Sequence, residues 1–255
     1  MALANSHSTS DGDPRRGPFY RLLVTIWLDM RLQWRNGFYA ASLFVLALLA
    51  LVFPRLGVIP QAWFLPLMVV SNMPLNTFYF LGALVLLEKG EGTLEAQVVS
   101  PLRTWEYLAA KIFTLTVLSL VEAVVIVMIV FGLQFNLLLF ALGVMQAAVL
   151  FCLVGFLVVI RYDSINAYLI PSVFFLILLL LPLLETAGLM SSPLFYLHPF
   201  QPALVLLNAS FGVVPAWQVV YGLVVGALWL LILARLSFQS FAQFVVRRAG
   251  VRLGS

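Results

Sequence analysis

Long apolar runs alternate with short polar stretches along most of this chain. A membrane-spanning α-helix needs about 20 predominantly apolar residues, and six of the runs approach or exceed that length. The pattern therefore predicts an all-α membrane protein with six spans, at residues 38–53, 62–87, 107–133, 137–160, 167–184 and 215–236. The first run is the shortest, because Pro54 and Arg55 stop it.

The segment before the first span has a different pattern. From Phe19 to Arg35, apolar residues including Trp27 and Trp34 recur at helical spacing, with charged residues mostly between them. This predicts an amphipathic helix along the inner membrane surface, with its aromatics at headgroup depth. A plain cytosolic extension of the first span is the alternative. Residues 1–17 are polar and rich in small residues, which predicts a disordered cytosolic tail.

The second run carries polar and helix-breaking residues in its outer half, namely Pro66, Asn72, Pro74 and Asn76. Side-chain amides and freed backbone groups find no partners in hydrocarbon, so this stretch is expected to face the bundle interior or a cavity. Two interpretations stay open: a kink that serves packing, or part of the lining of a transport route. For the second, Asn72, Asn76 and Phe78 are candidate lining residues.

Two further polar side chains lie within the third and fourth runs. Counted from the connection between these runs at ~1.5 Å per residue, Glu122 lies roughly 16 Å and Gln146 roughly 14 Å below the outer end. An acidic group in lipid is costly, and a hydrogen-bond partner reduces that cost. One expectation is a structural hydrogen bond between the two side chains. The other is a Glu122 that contacts substrate or exchanges a proton.

Residues 185–212, between the fifth and sixth runs, are too apolar for a free aqueous loop. Pro193, Pro199 and Pro202 interrupt them too often for a span, so they predict a pair of short re-entrant or interfacial helices. We expect a single transmembrane domain over residues 18–240, followed by a basic cytosolic C-terminal tail over residues 241–255.

Composition supports lipid as the environment of this chain. Hydrophobic residues make up 63% of the 255 residues and charged residues 9%, whereas soluble domains carry about 25% charged residues. The net charge is +4, but the basic residues stand at the ends of apolar runs, which argues against nucleic-acid binding. With the N-terminus inside, 13 of the 14 lysines and arginines lie in the cytosol, and Arg55 lies outside. This bias predicts that both termini are cytosolic.

Several chemistries are missing from the sequence. It contains no GxxxxGK[ST] phosphate loop, so the chain itself is not expected to hydrolyse ATP. Two histidines, His7 and His198, and a single cysteine, Cys152, cannot build a metal cluster or an internal disulfide. Ser192 and His198 have no acidic partner nearby except Glu185, which disfavours a hydrolase. We therefore expect a protein that is not an enzyme and holds no cofactor of its own.

One charged, glycine-containing stretch interrupts the apolar pattern on the cytosolic side: residues 88–105, EKGEGTLEAQVVSPLRTW. Its two glycines allow a sharp change of direction. Thr93 can cap a short helix that has Glu95 in its first turn, and Ser100 before Pro101 is a second helix-start signal. A short helix that is acidic at its start and apolar on one side can sit in a groove of another protein. A solvated turn is the alternative.

The 88–105 segment closely resembles the cytosolic loop of ABC-2 type transporter permeases. That loop has a glutamate where the helix leaves the membrane, then an acidic residue before Gly-Thr-Leu-Glu, and later Ser-Pro-Leu before a helix that begins near a lysine. The six spans, the N-terminal helix and the outer segment YLHPFQPAL are similar to the family as well. Within the family the chain looks most like drug and antibiotic exporter permeases, including fluoroquinolone exporters. The matching loop residues are Glu88, Glu91, Gly92, Thr93, Leu94, Glu95, Ser100, Pro101, Leu102 and Lys111.

The resemblance implies that residues 88–105 form a coupling helix, which docks on a separate ATPase subunit that carries the ATP and magnesium. It also implies a second permease copy or paralogue, a prokaryotic plasma membrane, and export of a small amphipathic molecule along a route that includes Asn72, Asn76, Phe78 and Glu122. Export of a lipid or lipid-linked glycan is an alternative within the class. An ion channel and a non-transporting scaffold are alternatives from other classes.

Overall fold

A computed structural model of the protein describes residues 17–56, 64–93 and 104–252. Within these ranges the chain is helical and contains no strand. Two 3₁₀ turns, at Phe53–Leu56 and Pro193–Leu197, and a π-helical turn at Leu75–Tyr79 accompany the α-helices. The α-helices are α1 Pro18–Arg35, α2 Phe38–Val52, α3 Phe64–Pro74, α4 Phe80–Gly90, α5 Thr104–Phe131, α6 Leu137–Val159, α7 Ile165–Leu180, α8 Leu183–Thr186, α9 Gln201–Phe211 and α10 Ala216–Arg252. The predicted tail at residues 1–17 lies outside the described residues except for Gly17.

Five of the helical segments are long and apolar enough to cross a membrane. Within the described part of the chain they are Phe38–Arg55, Pro66–Gly90, Trp105–Phe131, Leu137–Val159 and Ala216–Gln243. These segments match the first four predicted runs and the last one. The protein is therefore an all-α, multi-pass membrane protein.

The fifth predicted span forms a shorter helix. With 16 residues, α7 measures about 24 Å at ~1.5 Å per residue, whereas the hydrocarbon core is about 30 Å thick. Pro182 follows its end and has no backbone N–H to continue the hydrogen-bond ladder, so the short α8 begins instead. The predicted helix extended to residue 184, and the sixth membrane crossing stays a prediction.

The predicted N-terminal helix is α1, and its apolar side faces away from the protein. The side chains of Phe19, Trp27 and Trp34 are 72%, 58% and 76% exposed, whereas Asp29 and Gln33 are buried. A helix at a membrane surface can leave its apolar face to lipid and pack its polar face on protein. Gly37, with a φ of 76°, separates α1 from α2, so α1 is not a straight extension of the first span.

The second span is a continuous but irregular helix formed by α3, the π turn and α4. The π turn follows Pro74, whose missing N–H removes one bond of the regular ladder. Within the turn, Phe78 is fully buried, and its carbonyl accepts a hydrogen bond of 3.4 Å from the Tyr168 hydroxyl of α7. Phe78 is therefore a core residue at the junction of three helices, and its predicted role as a lining residue does not match this position.

Close packing of the π turn on α6 depends on Gly155. A Cβ at this position would lie 3.0 Å from the Phe78 carbonyl oxygen and 3.2 Å from its Cα. Because backbone atoms cannot move aside easily, we expect Gly155→Ala to destabilise the fold by about 1–3 kcal/mol, measured as a lower midpoint of thermal unfolding in detergent. Gly90→Ala is the control, since no atom of the described residues outside its own helix turn and chain neighbours lies within 4 Å of its Cβ position. Equal midpoints for the two variants would contradict the expectation.

The helix α6 lies at the centre of the bundle, where it packs against α5, α9, α10 and the second span. Along one side, α9 follows it: the ring of Phe200 lies 5.2 Å from that of Phe151, and Asn136 N–H donates to Ser210 O at 2.8 Å. Phe151 is about four turns further along the chain than Asn136. The chain before α9 therefore enters the bundle to the depth of Phe151, and α9 runs back toward the start of α6. This path is consistent with the predicted re-entrant segment.

The last helix continues far beyond the predicted end of the sixth span at residue 236. Helix α10 has 37 residues, and no Gly or Pro interrupts its sequence between Gly226 and Gly250. Two side chains fix its later part to the bundle: Ser237 Oγ donates to Leu153 O at 3.4 Å, and the Phe241 ring stacks on Tyr107 with centroids 5.5 Å apart. The basic residues of the predicted tail begin as part of this helix.

Candidate functional site

The two ends of the 88–105 segment are joined by a buried ion pair. Glu88 lies in the last turn of α4, and Lys111 lies in the second turn of α5. The Lys111 ammonium donates to Glu88 Oε1 at 2.8 Å, and the Tyr107 hydroxyl donates to Glu88 Oε2 at 2.5 Å. All three side chains are buried. The helices that enter and leave the segment are thus fastened together at its base.

The same lysine also connects the N-terminal helix to this base. Lys111 Nζ donates to Asp29 Oδ1 at 2.8 Å, and Thr114 Oγ1 and Gln33 Nε2 both donate to Asp29 Oδ2 at 2.6 Å. One ammonium therefore balances two carboxylates, from α1 and α4, in a site that is shielded from solvent. We call Asp29, Glu88, Tyr107, Lys111 and Thr114 the base network.

A second ion pair holds α1 against the start of α5. The Arg21 guanidinium donates to Glu106 Oε1 at 3.2 Å, and Glu106 is fully buried. With the Asp29 contacts two turns further along, α1 is held at two points. This helix must therefore follow the start of α5 when that part of the chain moves.

Lys89, next to Glu88, connects α4 to the end of α6. Its ammonium donates to Ile160 O at 2.8 Å and to Tyr162 O at 2.7 Å, and it lies 3.6 Å from Asp163 Oδ1. The last carbonyls of a helix have no partner within the helix, and a cation is favourable there because of the helix dipole. Glu88 and Lys89 thus link the segment to two different groups of helices.

The structure describes part of the predicted docking surface. Glu91 is exposed, Gly92 has a φ of 70°, and Thr93 Oγ1 donates to Glu88 O at 3.2 Å. Leu94, Glu95, Ser100, Pro101 and Leu102 lie outside the described residues. Glu88 differs from its prediction: both of its oxygens are occupied inside the protein, so its side chain does not form part of the outer surface.

A second polar group lies inside the bundle, around Glu122. The Glu122 carboxylate of α5 accepts hydrogen bonds from the side-chain amides of Asn72, at 2.7 Å, and Asn76. Ser42 Oγ of α2 contacts both Glu122 Oε1 and, at 2.9 Å, Asn76 Oδ1. The sequence grouped Asn72, Asn76 and Glu122 as candidates, and the structure brings them together. Ser42 was missed, although apart from Tyr39 it is the one polar side chain in the first apolar run.

Three members of this group, Asn72, Asn76 and Glu122, line a cavity between α2, the second span and α5. The space between these helices amounts to about 290 Å³ when its open, solvent-facing mouth is included. Its wall combines polar side chains with a larger number of apolar ones. The lining residues are Leu46, Leu49, Met68, Val69, Asn72, Met73, Asn76, Ser119, Glu122, Ala123 and Ile126. Such a wall, mostly apolar with a few convergent polar groups, is typical of small-molecule sites.

The predicted hydrogen bond between Glu122 and Gln146 is wrong. Gln146 Nε2 donates instead to Gly222 O of α10 at 3.2 Å, and Gly226, one turn further, leaves the space that the Gln146 amide occupies. The two helices are rotated so that Glu122 faces α2 and α3 while Gln146 faces α10, and depth alone carries no information about this rotation.

Both ring nitrogens of His198, which lies just before α9, are engaged by backbone groups. Its Nδ1 accepts a hydrogen bond from Phe200 N–H at 3.2 Å, and its Nε2 lies 3.2 Å from Leu178 O. A neutral ring protonated at Nε2 satisfies both contacts, and burial lowers the pKa of His198 from its usual value. With both nitrogens bound to backbone groups, the ring is not placed to act as a general base toward a neighbouring serine.

Known proteins are similar to this chain over most of its length. The profile of the fluoroquinolones export permease protein family matches residues 20–249. The chain belongs to this family. Two relatives, from two strains of Mycobacterium tuberculosis, carry the name fluoroquinolones export permease protein and are each 36% identical over 236 residues, which is 91% of this chain and 99% of theirs. The predicted resemblance to drug-exporter permeases of the ABC-2 type is thus confirmed.

The part of the chain that matches the family includes both polar sites. Both the base network and the Glu122 cavity lie within the matched residues 20–249. The match also includes the whole of the 88–105 segment. A permease moves a molecule across a membrane, and the five long apolar helices provide the body in which such a route can form.

Proposed function

We propose that this chain is the membrane subunit of an ATP-driven exporter of small amphipathic, drug-like molecules. The ATP and magnesium would be bound by a separate ATPase subunit, which docks on the 88–105 segment. The observation that carries this proposal is the base network: a chain of buried charges closes the segment at its root and ties it to three helices. Family membership supports the export of a fluoroquinolone-like substrate.

The contacts suggest how a push on the segment reaches the membrane helices. A displacement at Glu88 acts on α4 directly, on α5 through Lys111 and on α1 through Asp29. Lys89 carries the same displacement to the end of α6 and the turn before α7. Since α4 continues through the π turn into α3, the movement arrives at the helix that holds Asn72 and Asn76. Docking of the ATPase would in this way change the shape of the Glu122 cavity.

The remaining parts of the assembly follow from charge and from the family. The bias of lysines and arginines favours cytosolic termini, and therefore a cytosolic 88–105 segment within reach of an ATPase. We propose a prokaryotic plasma membrane location and a pair of permease subunits, identical or paralogous. The candidate substrate route includes Asn72, Asn76 and Glu122, and Phe78 contributes to it only by fixing the π turn.

Export of a lipid or lipid-linked glycan is the second candidate within this architecture. The observation that favours it is the large apolar surface of α1, α2 and α7, on which side chains such as Phe19, Phe44 and Ile170 are 72%, 71% and 82% exposed. Lipid contact alone accounts for this surface, so we give preference to the drug-like substrate. A channel would require polar residues along a pore, whereas the polar cavity is local to three helices.

Affinity purification from membranes tests the proposal. We expect the tagged full-length chain to bring down an ATPase subunit that contains a phosphate loop, in a one-to-one ratio. Reconstituted into vesicles, the complex should accumulate a fluorescent fluoroquinolone only when ATP and magnesium are supplied on the side of the ATPase. Purification without any ATPase, or ATP-independent flux that follows the ion gradient, would overturn the exporter and favour a scaffold or a channel.

A further inference from the structure

The cavity around Glu122 has a chemistry that selects its ligand. We infer that it binds the ammonium group of an amphipathic amine, with the Glu122 carboxylate as the opposite charge. This inference rests on the proposed export function and adds to it the chemical class of the substrate. Amphipathic cations and zwitterions with a basic amine would bind here, and neutral or purely anionic compounds of similar size would not.

The polar side chains around Glu122 present more hydrogen-bond acceptors than donor hydrogens. Ser42 has one hydroxyl hydrogen, but its oxygen lies within hydrogen-bond distance of two acceptors, Glu122 Oε1 and Asn76 Oδ1. A hydroxyl hydrogen can serve only one of them fully. Asn72 donates to Glu122 through its amide nitrogen, while its own oxygen, Oδ1, is buried without a hydrogen-bond partner among the described residues. A ligand that brings N–H donors would satisfy these oxygens.

Ser119 provides an independent indication of a missing partner. It lies one turn before Glu122 on the same face of α5, lines the cavity and is 2% exposed. Within the described part of the chain, its hydroxyl oxygen has no hydrogen-bond partner. Buried polar groups are nearly always paired, and an exception calls for an explanation. An ammonium group in the cavity would give Ser119 the partner that it lacks.

The charge of the site gives the sign of the ligand. Among the described residues that line the cavity, Glu122 is the one with a formal charge, and none of them is basic. An unpaired carboxylate inside a membrane is costly. A cation with several N–H donors neutralises the Glu122 carboxylate and at the same time donates hydrogen bonds to the unpaired oxygens. An anion would instead be repelled by the carboxylate. The acceptor-rich wall therefore favours a protonated amine.

The apolar part of the wall distinguishes an organic amine from a bare metal ion. Leu46, Leu49, Met68, Met73 and Ile126 cover most of the cavity surface and offer no oxygen to sodium or potassium. They fit the alkyl or ring carbons that are attached to the nitrogen of an amine. The space inside this wall and at its open mouth together amounts to about 290 Å³, so the ammonium group would enter among the polar side chains while the rest of the molecule lies at and beyond the mouth.

A binding experiment with matched compounds tests the inference. The probes are a fluoroquinolone with a protonated ring amine, the same compound N-acetylated on that nitrogen, and its N-methyl derivative, which stays basic and controls for added bulk. Binding to the full-length chain in lipid nanodiscs is measured by calorimetry. We expect the two basic compounds to bind with similar Kd and the N-acetyl compound to bind at least roughly tenfold more weakly, because it lacks the charge-assisted hydrogen bonds.

Three variants locate the binding to this cavity. Glu122→Gln should remove the preference for the basic compounds. Ser119→Ala should weaken their binding by roughly tenfold, the effect of one hydrogen bond to a charged group, and it breaks no side-chain hydrogen bond among the described residues. Thr116→Ala is the matched control: its hydroxyl, on the same helix, is also buried and has no hydrogen-bond partner within the described ranges, but Thr116 is not among the described residues that line the cavity. Binding by this control should equal that of the unaltered chain.

Each result decides the inference. Equal binding of basic and acetylated compounds, or a Ser119→Ala variant that resembles Thr116→Ala, would show that a proton on Glu122 meets the hydrogen shortage and would overturn the amine site. Displacement of the amine by sodium chloride, but not by equimolar choline chloride, would assign the site to a bare cation and overturn it as well. The proposed function fails separately: amine-selective binding by a chain that recruits no ATPase would keep the site and reject the exporter.

Discussion

Replacing Lys111 with methionine is expected to destabilise the protein by about 3–5 kcal/mol, the usual effect of removing one partner from a buried charge pair. The ammonium of Lys111 balances both Asp29 and Glu88, and the side chains of all three are at most 7% exposed. Methionine fills a similar volume but leaves two carboxylates close together without a cation. The measurement is the midpoint of thermal unfolding of the purified chain in detergent.

Two further substitutions that neutralise the carboxylates distinguish the loss of charge balance from a loss of packing. Adding Asp29→Asn and Glu88→Gln to the Lys111→Met variant removes the unbalanced charges, and we expect it to recover most of the lost stability. The control is Arg35→Met, which removes an exposed cation from the end of α1 and should change stability by about 0.5 kcal/mol or less. A Lys111→Met midpoint equal to that of Arg35→Met would show that the base network does not hold the fold together.

Reversing the charge of Glu91 is expected to uncouple the exporter while leaving the chain folded. Glu91 is exposed at the end of α4, in the part of the docking surface that the structure describes. An interface built for a carboxylate places a positive or donor group opposite it, and a like charge there costs several kcal/mol. Glu91→Lys should therefore lower substrate-stimulated ATP hydrolysis of the reconstituted complex by at least roughly tenfold, and Glu91→Gln should lower it less.

The matched control for Glu91 lies on the same end of the helix bundle. Arg161, in the turn that follows α6, is exposed, and the neighbouring carbonyls of Ile160 and Tyr162 are bound by Lys89. Arg161→Glu also changes the charge by two units, in the opposite direction and outside the 88–105 segment, and it should keep coupled hydrolysis near that of the unaltered complex. Full coupling in Glu91→Lys would reject docking at this segment, and equal loss in both variants would indicate a general charge effect.

Helix positions could be predicted closely from the sequence where breakers bound an apolar run. The predicted fourth span, residues 137–160, matches Leu137–Val159, because the polar residues around Asn136 and Arg161 mark both ends. Where no breaker stands, the prediction failed: α10 continues past residue 236 because Ser237 finds a backbone acceptor inside the bundle. A polar residue ends an apolar run without ending a helix.

The partners of the polar residues could be predicted less well than the helices. Asn72 and Asn76 are four residues apart, so their shared face followed from helical spacing. That Glu122 meets them, and not Gln146, depends on how α5 and α6 are rotated, which periodicity in an almost uniformly apolar helix does not fix. Ser42 could have been found by asking which isolated polar residue in a run lacks a side-chain partner within its own helix, whereas Asp29 has such a partner in Gln33 and would have been passed over.

The contact between Asp29 and Lys111 also determines when α1 can attach to the other helices during synthesis of the chain. The two residues are 82 positions apart, so at about 5–20 residues per second the ribosome needs roughly 4–16 seconds to supply the lysine after the aspartate. During that time two spanning segments enter the membrane, and α1 has no basic partner yet for its buried carboxylate. The exposed aromatic face of α1 can hold the helix at the lipid surface during this interval. Attachment of the N-terminal helix is therefore a late step, completed only when the third membrane helix arrives.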